Sequence, residues 1–504
     1  MLVLATSLTA AVLGVDAHLV RVEADTASGF PCFTMLGLAD SAIKESEGRI
    51  RAALRNCGYD FKWDRRITVN MAPANLRKAG SSYDLATAVG LLAADGAVPL
   101  PDLSDVLLVG ELALDGSVRP VSGLIPMMLM ARAKGLAAAI VPDANAAEAA
   151  VVSGVSVYPV RTLPEAIAVA TKSVRPEPAR AAAGSAAGAG AADLAEIRGQ
   201  QVARRALEVA AAGGHNLLLV GPPGAGKTML ARRLPGILPP LSEAEALETT
   251  AIHSAWGLRP EGLLRGRPFR APHHTSSDAA LVGGGALPRP GEVSLAHNGI
   301  LFLDELPEFP RRTLEALRQP LEERSVTVAR VRATLRLPAR FQLVAAMNPC
   351  PCGSLGDLVR ACTCGPLAVR RYQGRISGPL LDRIDLHVEV RTLTYAEISA
   401  PPGETSAAVA QRVSAARSRQ LERTEPDAVA NADLPSARLR EVVALDADGR
   451  ALVARAVDRM GLTGRAHDRL LRVARTIADL DGAARVSAAH LSEALQFRGR
   501  GNPA

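Results

Sequence analysis

The stretch LLLVGPPGAGKTML at residues 217–230 constrains the fold more than any other part of the chain. It matches the pattern G-x-x-x-x-G-K-[ST] between a short apolar run and a helical segment, which predicts a loop whose backbone N–H groups bind nucleotide phosphates. Lys227 is expected to contact the β- and γ-phosphates, and Thr228 to offer its hydroxyl to Mg²⁺. The predicted ATP-binding residues are Gly221, Pro222, Pro223, Gly224, Ala225, Gly226, Lys227 and Thr228.

Lysine usage supports this interpretation. Only six of the 58 basic residues are lysines, and Lys227 is the only one after Lys172. A lysine kept where arginine is used almost everywhere else indicates a site that needs a compact ammonium group.

A second motif, GILFLDE at residues 299–305, ends an apolar strand on two carboxylates. Asp304 is expected to act on Mg²⁺ and Glu305 to polarise the attacking water. The two motifs together predict an ATP hydrolase of the α/β class with ATP and Mg²⁺ as cofactors.

At 504 residues the chain is too long for one hydrophobic core. We predict an α/β domain at 1–172, an Ala/Gly/Pro-rich linker at 173–192, an ATPase core at 193–392 and a helical domain at 393–504. The apolar N-terminus lacks a basic segment and alternates like a strand, and no uncharged run reaches the ~20 residues needed to span a bilayer. We therefore expect a cytoplasmic protein with no membrane partner. The net charge of +7 and the isoelectric point of about 9.3 are compatible with nucleic acid but weak indicators of it.

Further segments carry a family resemblance. APHHTSSDAALVGGG, AAMNPCPCG and SGPLLDRIDLHVEV, together with the two motifs above, resemble the magnesium-chelatase-like AAA+ ATPases, and among them the YifB/ComM group. The resemblance covers nearly the whole chain. It implies a central AAA+ P-loop NTPase with a parallel sheet and a C-terminal helical lid. The segments LRKAGSSYDLATAVGLL and VGELALDGSVRPVSGLIPMM resemble the Lon protease domain, which implies a ribosomal S5 domain 2-like α/β fold for the N-terminal part.

The resemblance also assigns roles in hydrolysis. It implies that Asn348 is the sensor 1 residue and that Arg383 is an arginine finger acting in the neighbouring subunit, which requires a ring, expected to be a homo-hexamer. Arg465 is the expected sensor 2 residue, with Arg469 and Arg472 as alternatives.

The segment RSVTVARVRATLRLP alternates like a β-hairpin. The resemblance implies that such a hairpin points into the central pore, where Arg330 and Arg332 would contact DNA; a solvated hairpin tip is the alternative. The expected function is a DNA motor that drives branch migration in recombination or transformation. The alternatives are a magnesium-chelatase motor subunit and an ATP-dependent protein-remodelling ring.

Peptidase chemistry is not expected from the Lon-like part. Its nucleophile position corresponds to Ser82, which we expect instead to cap the following helix. The partner lysine should follow Gly123 and Leu124, where this chain has Ile125, so no base is available to activate Ser82.

Four of the six cysteines lie close together, as two Cys-x-Cys pairs. Four thiolates suit a tetrahedral zinc ion, although the spacing is tighter than the usual Cys-x₂₋₄-Cys. Reduced cysteines and a redox sensor remain open alternatives. The expected zinc ligands are Cys350, Cys352, Cys362 and Cys364. Cys32 and Cys57 are expected to be buried apolar residues.

Overall fold

The computed structural model describes residues 4–498 except 38–39, 41–42, 44, 79, 100–101, 182–191, 259–261, 285–288, 331–332, 358–359 and 425–429. The chain forms two compact units. One comprises residues 1–186 and 243–265, the other residues 187–242 and 266–504. Over these described stretches, no helix combines the length and the apolar character needed to cross a membrane.

The first unit is built on a mixed seven-stranded sheet with the order β3-β4-β2-β1-β5-β8-β9. The β1/β2 and β2/β4 pairs are antiparallel, whereas β3/β4, β1/β5, β5/β8 and β8/β9 are parallel. The short strands β6 and β7 pair separately. The strands are β1 (Ala5–Leu13), β2 (Asp16–Ala27), β3 (Cys32–Leu36), β4 (Arg66–Ala72), β5 (Val106–Leu108), β6 (Glu111–Leu112), β7 (Val118–Arg119), β8 (Ala138–Pro142) and β9 (Ser156–Val160).

Helices cover both faces of this sheet, because the alternation of a strand sends its side chains to two separate cores. Leu8 and Ala10 of β1 join the core under helix Leu124–Ala133, whereas Ala11 joins the core on the opposite face. Ser7 donates a hydrogen bond to the carbonyl of Ala86 on that opposite face. The helices of the unit are Ser46–Asn56, Asp84–Asp95, Leu124–Ala133, Ala146–Ala149, Leu163–Ala170 and Glu243–Trp256.

Helix Glu243–Trp256 returns to the first unit from the middle of the predicted ATPase core. Its Ala251 is buried in the core under helix Leu124–Ala133. The backbone N–H of Gly123 donates to the carbonyl of Ser254 at 2.9 Å, and the N–H of Ile125 donates to the Ser254 hydroxyl at 3.2 Å. Ser254 in turn donates to the buried carboxylate of Glu148.

Ser82 and Ile125 are the two positions that the Lon resemblance singles out. Ile125 is fully buried where the Lon resemblance expects a lysine. The expectation that Ser82 caps the next helix is wrong: Tyr83 occupies the cap position with no side-chain bond, while the Ser82 carbonyl accepts from the N–H of Gly110.

The expectation that the two lone cysteines are buried is also wrong, since Cys32 is exposed and Cys57 half-buried. Cys32 begins the edge strand β3, where side chains alternate toward solvent.

The second unit contains a five-stranded parallel sheet with the order β11-β14-β17-β10-β18. Two antiparallel ribbons, β12/β13 and β15/β16, accompany it. The strands are β10 (Leu217–Val220), β11 (Phe269–Arg270), β12 (Gly283–Gly284), β13 (Arg289–Pro290), β14 (Ile300–Leu303), β15 (Ser325–Arg330), β16 (Ala333–Pro338), β17 (Gln342–Met347) and β18 (Leu386–Glu389).

Helices complete the second unit, and those of the C-terminal part share one hydrophobic core with helix Gln201–Gly213 and the sheet. The parallel sheet and the helical C-terminal part confirm the predicted fold class. The boundary predicted at residue 392 stays a prediction, because one compact unit contains both sides of it. The helices are Gln201–Gly213, Lys227–Ala231, Asp278–Val282, Glu292–Leu295, Arg311–Ala316, Arg318–Glu323, Pro366–Gln373, Gly378–Leu381, Tyr395–Ile398, Ser406–Arg423, Ser436–Val442, Ala447–Met460, Gly464–Leu480 and Ala488–Gln496.

The strand order places β10 at a switch point. The strands β11, β14 and β17 lie on one side of β10, whereas the last strand, β18, lies on its other side, so the strand order reverses at β10. Ligands of open α/β sheets bind at the carboxyl ends of the strands at such a point. The phosphate-binding motif follows β10 directly.

Candidate nucleotide site

The loop after β10 packs so closely against β18 that its first residue has to be glycine. A Cβ atom on Gly221 would lie 2.0 Å from the carbonyl oxygen of Val390. The loop then passes into helix Lys227–Ala231, whose preceding Gly226 has a φ of 93°. Strand, tight loop and helix start are therefore in the arrangement that directs backbone N–H groups at phosphate.

Lys227 is buried and anchors the loop. Its ammonium donates to the carbonyls of Gly221 at 2.7 Å and Pro222 at 2.9 Å, and to the side-chain oxygen of Asn348 at 3.0 Å. Burial lowers the pKa of Lys227, and the carboxylates of Asp304 and Glu305 oppose that shift. Asn348 follows β17, so the residue predicted as sensor 1 lies in contact with the P-loop lysine.

The proposed magnesium ligands are already paired. The Thr228 hydroxyl donates to Asp304 at 2.7 Å, and Asp304 follows β14 at the same edge of the sheet. A hydroxyl and a carboxylate are hard oxygen ligands of the kind Mg²⁺ prefers. These residues fit the ATP and Mg²⁺ that the sequence predicts.

Glu305 has an unusual backbone and a partner that the sequence analysis missed. Its φ of 53° is left-handed, a conformation that costs a non-glycine residue roughly 1–3 kcal/mol and concentrates at functional sites. Its exposed carboxylate lies 3.2 Å from Nδ1 of His274. His274 stacks on His273 with ring centroids 4.1 Å apart, and it contacts Phe309 edge-on. The signal for this partner in the sequence is the pair of adjacent histidines in the segment APHHTSS.

A cavity of about 450 Å³ adjoins the P-loop. Its lining includes Gly226 and Met229 together with the apolar Ile197, Leu393 and Ile398. Its volume lies within the range of small-molecule pockets. Gln200 beside it donates to the carbonyl of Arg391 at 2.7 Å. Apart from the predicted Gly226, these lining residues were also missed, because they come from three separate stretches of sequence.

Arg383 lies at the edge of the sheet that the amino ends of the strands form, opposite the P-loop at their carboxyl ends. It precedes the amino end of β18, and its carbonyl accepts from the side chain of Asn216, which precedes the amino end of β10. At about 3.3 Å per residue, these four-residue strands separate the two edges by about 10 Å. The Arg383 guanidinium is nearly buried and contacts Glu322 and the Pro379 carbonyl. It therefore does not contact the P-loop of its own chain.

The three sensor 2 candidates differ in their surroundings. Arg465 is exposed and lies 3.6 Å from Glu322, the same carboxylate that contacts Arg383. Arg469 lies 3.2 Å from Asp385, and Arg472 donates to the Leu434 carbonyl. Although burial acts to raise it, His215 and Arg469 hold the pKa of Asp385 below its ordinary value.

The predicted hairpin is present as β15 and β16, paired from Ser325 with Pro338 to Arg330 with Ala333. Arg332 lies outside the described residues, and so does the side chain of Arg330.

The four clustered cysteines converge. All four Sγ atoms lie within 4.8 Å of one another. Cys350 is buried, Cys352 exposed, and the other two half-buried. Backbone N–H groups of Ser354 and Thr363 lower the pKa of Cys352 to about 5.

Comparison with known proteins agrees with these features. Family models described as magnesium chelatase subunit ChlI match residues 22–145 and 193–398, and the model of its C-terminal part matches 403–498. The YifB protein of Escherichia coli is 44% identical over 97% of this chain and 96% of its own length. The competence protein ComM of Haemophilus influenzae is 43% identical over 96% of each chain.

The N-terminal part has a second likeness. The Lon protease of Trichlorobacter lovleyi is 28% identical over 167 residues, which are 31% of this chain and 20% of that protease. Near-complete coverage of YifB and ComM, together with a parallel-sheet nucleotide site, decides the family. The chain belongs to the YifB/ComM group of magnesium-chelatase-like AAA+ ATPases, with a Lon-like N-terminal region.

Proposed function

We propose that this chain forms a homo-hexameric ring in the cytoplasm and uses ATP hydrolysis to move along DNA, as a branch-migration helicase in recombination or transformation. The observation that carries the ring is the position of Arg383, at the sheet edge opposite its own Lys227. An arginine that is to neutralise transition-state charge from there must do so in a neighbouring subunit. Arg465 lies near Glu322, the same carboxylate that contacts Arg383, so in this proposal both arginines lie at the subunit interface.

Within one site, each residue has a defined task. Thr228 and Asp304 would hold Mg²⁺, which would supply neutralisation of phosphate charge. Lys227 exchanges the carbonyls of Gly221 and Pro222 for phosphate oxygens, while its contact with Asn348 links the phosphate to the end of β17. Glu305 orients the attacking water, and His274 fixes the Glu305 carboxylate.

Support for DNA as the substrate is indirect. The chain carries a net charge of +7, the β15/β16 hairpin directly precedes β17, and the relative ComM is named a competence protein. A magnesium-chelatase motor subunit and a protein-remodelling ring are the competing functions. The Lon-like first unit speaks against the chelatase, and the complete catalytic set speaks against a ring that only binds ATP.

The deciding experiment is steady-state ATP turnover of the full chain alone and with single-stranded, duplex and four-way-junction DNA. We expect several-fold stimulation, strongest with the junction, and loss of turnover in Glu305→Gln. Turnover that no DNA changes would overturn the DNA motor, and stimulation by a protein partner instead would favour remodelling.

The cofactor set of this proposal is ATP, Mg²⁺ and one zinc ion on the four clustered cysteines. Four converging thiols in one loop are the ligand set of a structural zinc.

A further inference from the structure

The sulfur atoms of the cysteine cluster have the spacing of a metal site. Zn–S bonds of about 2.3 Å in a tetrahedron place the sulfurs about 3.8 Å apart. The Sγ atoms of Cys350 and Cys352 are 3.4 Å apart, and Cys362 Sγ lies 3.6 Å from each of them. A disulfide needs about 2.05 Å, and none of the six cysteines is bonded to another.

The local backbone also suits metal-bound sulfur. The N–H of Cys364 donates to the sulfur of Cys362 at 3.4 Å, so a backbone dipole already faces the position of a thiolate. The ligands come from two short turns, one directly after the sensor strand β17 and one directly before helix Pro366–Gln373. One ion would therefore tie the two ends of this loop together.

The first turn of the cysteine loop packs on the P-loop. A Cβ atom placed on Gly353, between the two turns' ligands, would lie 2.4 Å from Cδ of Pro223. The backbone of Gly353 thus lies directly against the side-chain ring of Pro223 in the P-loop. Pro349 and Leu355 line the same cavity of about 890 Å³ as Gly221 and Pro222 of the P-loop.

The second turn is anchored to the same place. Helix Pro366–Gln373, which begins two residues after Cys364, returns to the end of β17, where Gln373 donates to the Pro349 carbonyl at 3.0 Å. Pro349 adjoins Asn348, whose side chain accepts from Lys227. The loop closed by the cysteines thereby controls both the outer wall of the P-loop and the position of Asn348.

We propose that Cys350, Cys352, Cys362 and Cys364 bind one structural zinc ion that holds the P-loop in its nucleotide-binding form, so that nucleotide affinity depends on the metal. This inference rests on the nucleotide site proposed above but not on DNA as substrate.

The metal is tested by elemental analysis of the full chain purified without chelators. We expect one zinc per chain in the wild type and in Cys32→Ser, whose thiol lies in the first unit. We expect less than a tenth of that amount in Cys362→Ser and in Cys352→Ser. A wild-type chain without zinc, or one that holds iron in its place, overturns the zinc site.

The coupling is tested by titrating a fluorescent ADP analogue. The zinc is removed with a mercurial reagent and a chelator from a Cys32→Ser/Cys57→Ser chain, so that only the cluster reacts. We expect a Kd at least tenfold higher after removal, recovered when Zn²⁺ and a thiol are added back, with circular dichroism showing a folded chain throughout.

The possible failures are distinct. Zinc that is present but whose removal changes Kd less than twofold overturns the coupling and leaves a merely structural ion. Neither readout involves DNA or turnover, so a chain that fails the DNA-stimulation experiment can still pass both tests, and the reverse also holds.

Discussion

Replacing Gly353 with alanine tests the contact between the cysteine loop and the P-loop. The new Cβ would lie 2.4 Å from Cδ and 2.8 Å from Cγ of Pro223, whereas carbon atoms in contact are normally ~3.5–4.0 Å apart. Relieving the overlap requires a shift of about 1 Å in one of the two loops. A displacement of about that size near reacting groups costs on the order of 10²-fold in rate. We expect kcat/KM for ATP to fall about 100-fold, equivalent to ~2.7 kcal/mol.

Gly356→Ala is the matched control. Gly356 has a φ of 79°, nearly the 81° of Gly353, so alanine costs roughly 1–2 kcal/mol of backbone strain at either position. The nearest atom to a Cβ at Gly356 is a carboxylate oxygen of Glu389 at 3.9 Å, which is ordinary contact. We expect Gly356→Ala to lower the melting temperature slightly and to change kcat/KM less than threefold. Steady-state turnover against ATP concentration and thermal unfolding supply both readouts. Equal losses of kcat/KM in the two variants would refute the reasoning, because strain alone would then explain them.

Three further predictions concern separate parts of the chain. His274→Ala should lower kcat about 2- to 5-fold with little change in the Kd for ADP, because a contact of 3.2 Å between an imidazole and an exposed carboxylate contributes at most about 1 kcal/mol. An unchanged kcat would remove His274 from the mechanism. Arg383→Ala and Lys227→Ala chains should each be inactive alone but regain turnover when mixed, since mixed rings contain interfaces with both residues intact; no recovery in verified mixed rings would contradict a finger acting in trans. Ile125→Lys should yield no peptidase activity in a casein-cleavage assay. It should lower the unfolding free energy by about 3–5 kcal/mol, as an unpaired buried charge does. The control Ile125→Leu should lower it by less than about 1.5 kcal/mol, and calorimetry measures both changes.

The sequence sufficed where chemistry is encoded in a contiguous motif. Gly221 to Thr228 form the loop and helix start directly after β10 as predicted, because a phosphate loop needs its glycines and lysine at fixed spacing. Asp304 was predicted from the motif that ends its strand and Asn348 from the family resemblance. The fold brings both to one site because the carboxyl ends of parallel strands meet at one edge.

The sequence did not suffice where a contact joins distant stretches without a motif. His274 lies 31 residues before Glu305, and only the fold brings their side chains to 3.2 Å. The lining of the cavity beside Gly226 combines Ile197 with Leu393, which no periodicity connects. The helical pattern also could not identify the sensor 2 residue among Arg465, Arg469 and Arg472, because any arginine of an amphipathic helix is compatible with a solvent-exposed face.

The N-terminal unit includes a segment from the middle of the predicted ATPase core. The chain passes between the units three times, near residues 186, 242 and 265, so the Lon-like unit is completed by a helix that lies between the P-loop and β11 in sequence. That helix buries Ala251 and Ile252, and its Ser254 satisfies the backbone N–H of Ile125 and the carboxylate of Glu148. Removing residues 1–172 would expose this apolar face and leave its polar groups without partners, at a cost of about 1–3 kcal/mol for each group that stays buried. The Lon-like unit, with Ile125 where the Lon resemblance expects a lysine, therefore depends for its own core on a helix that lies between the P-loop and β11 in sequence.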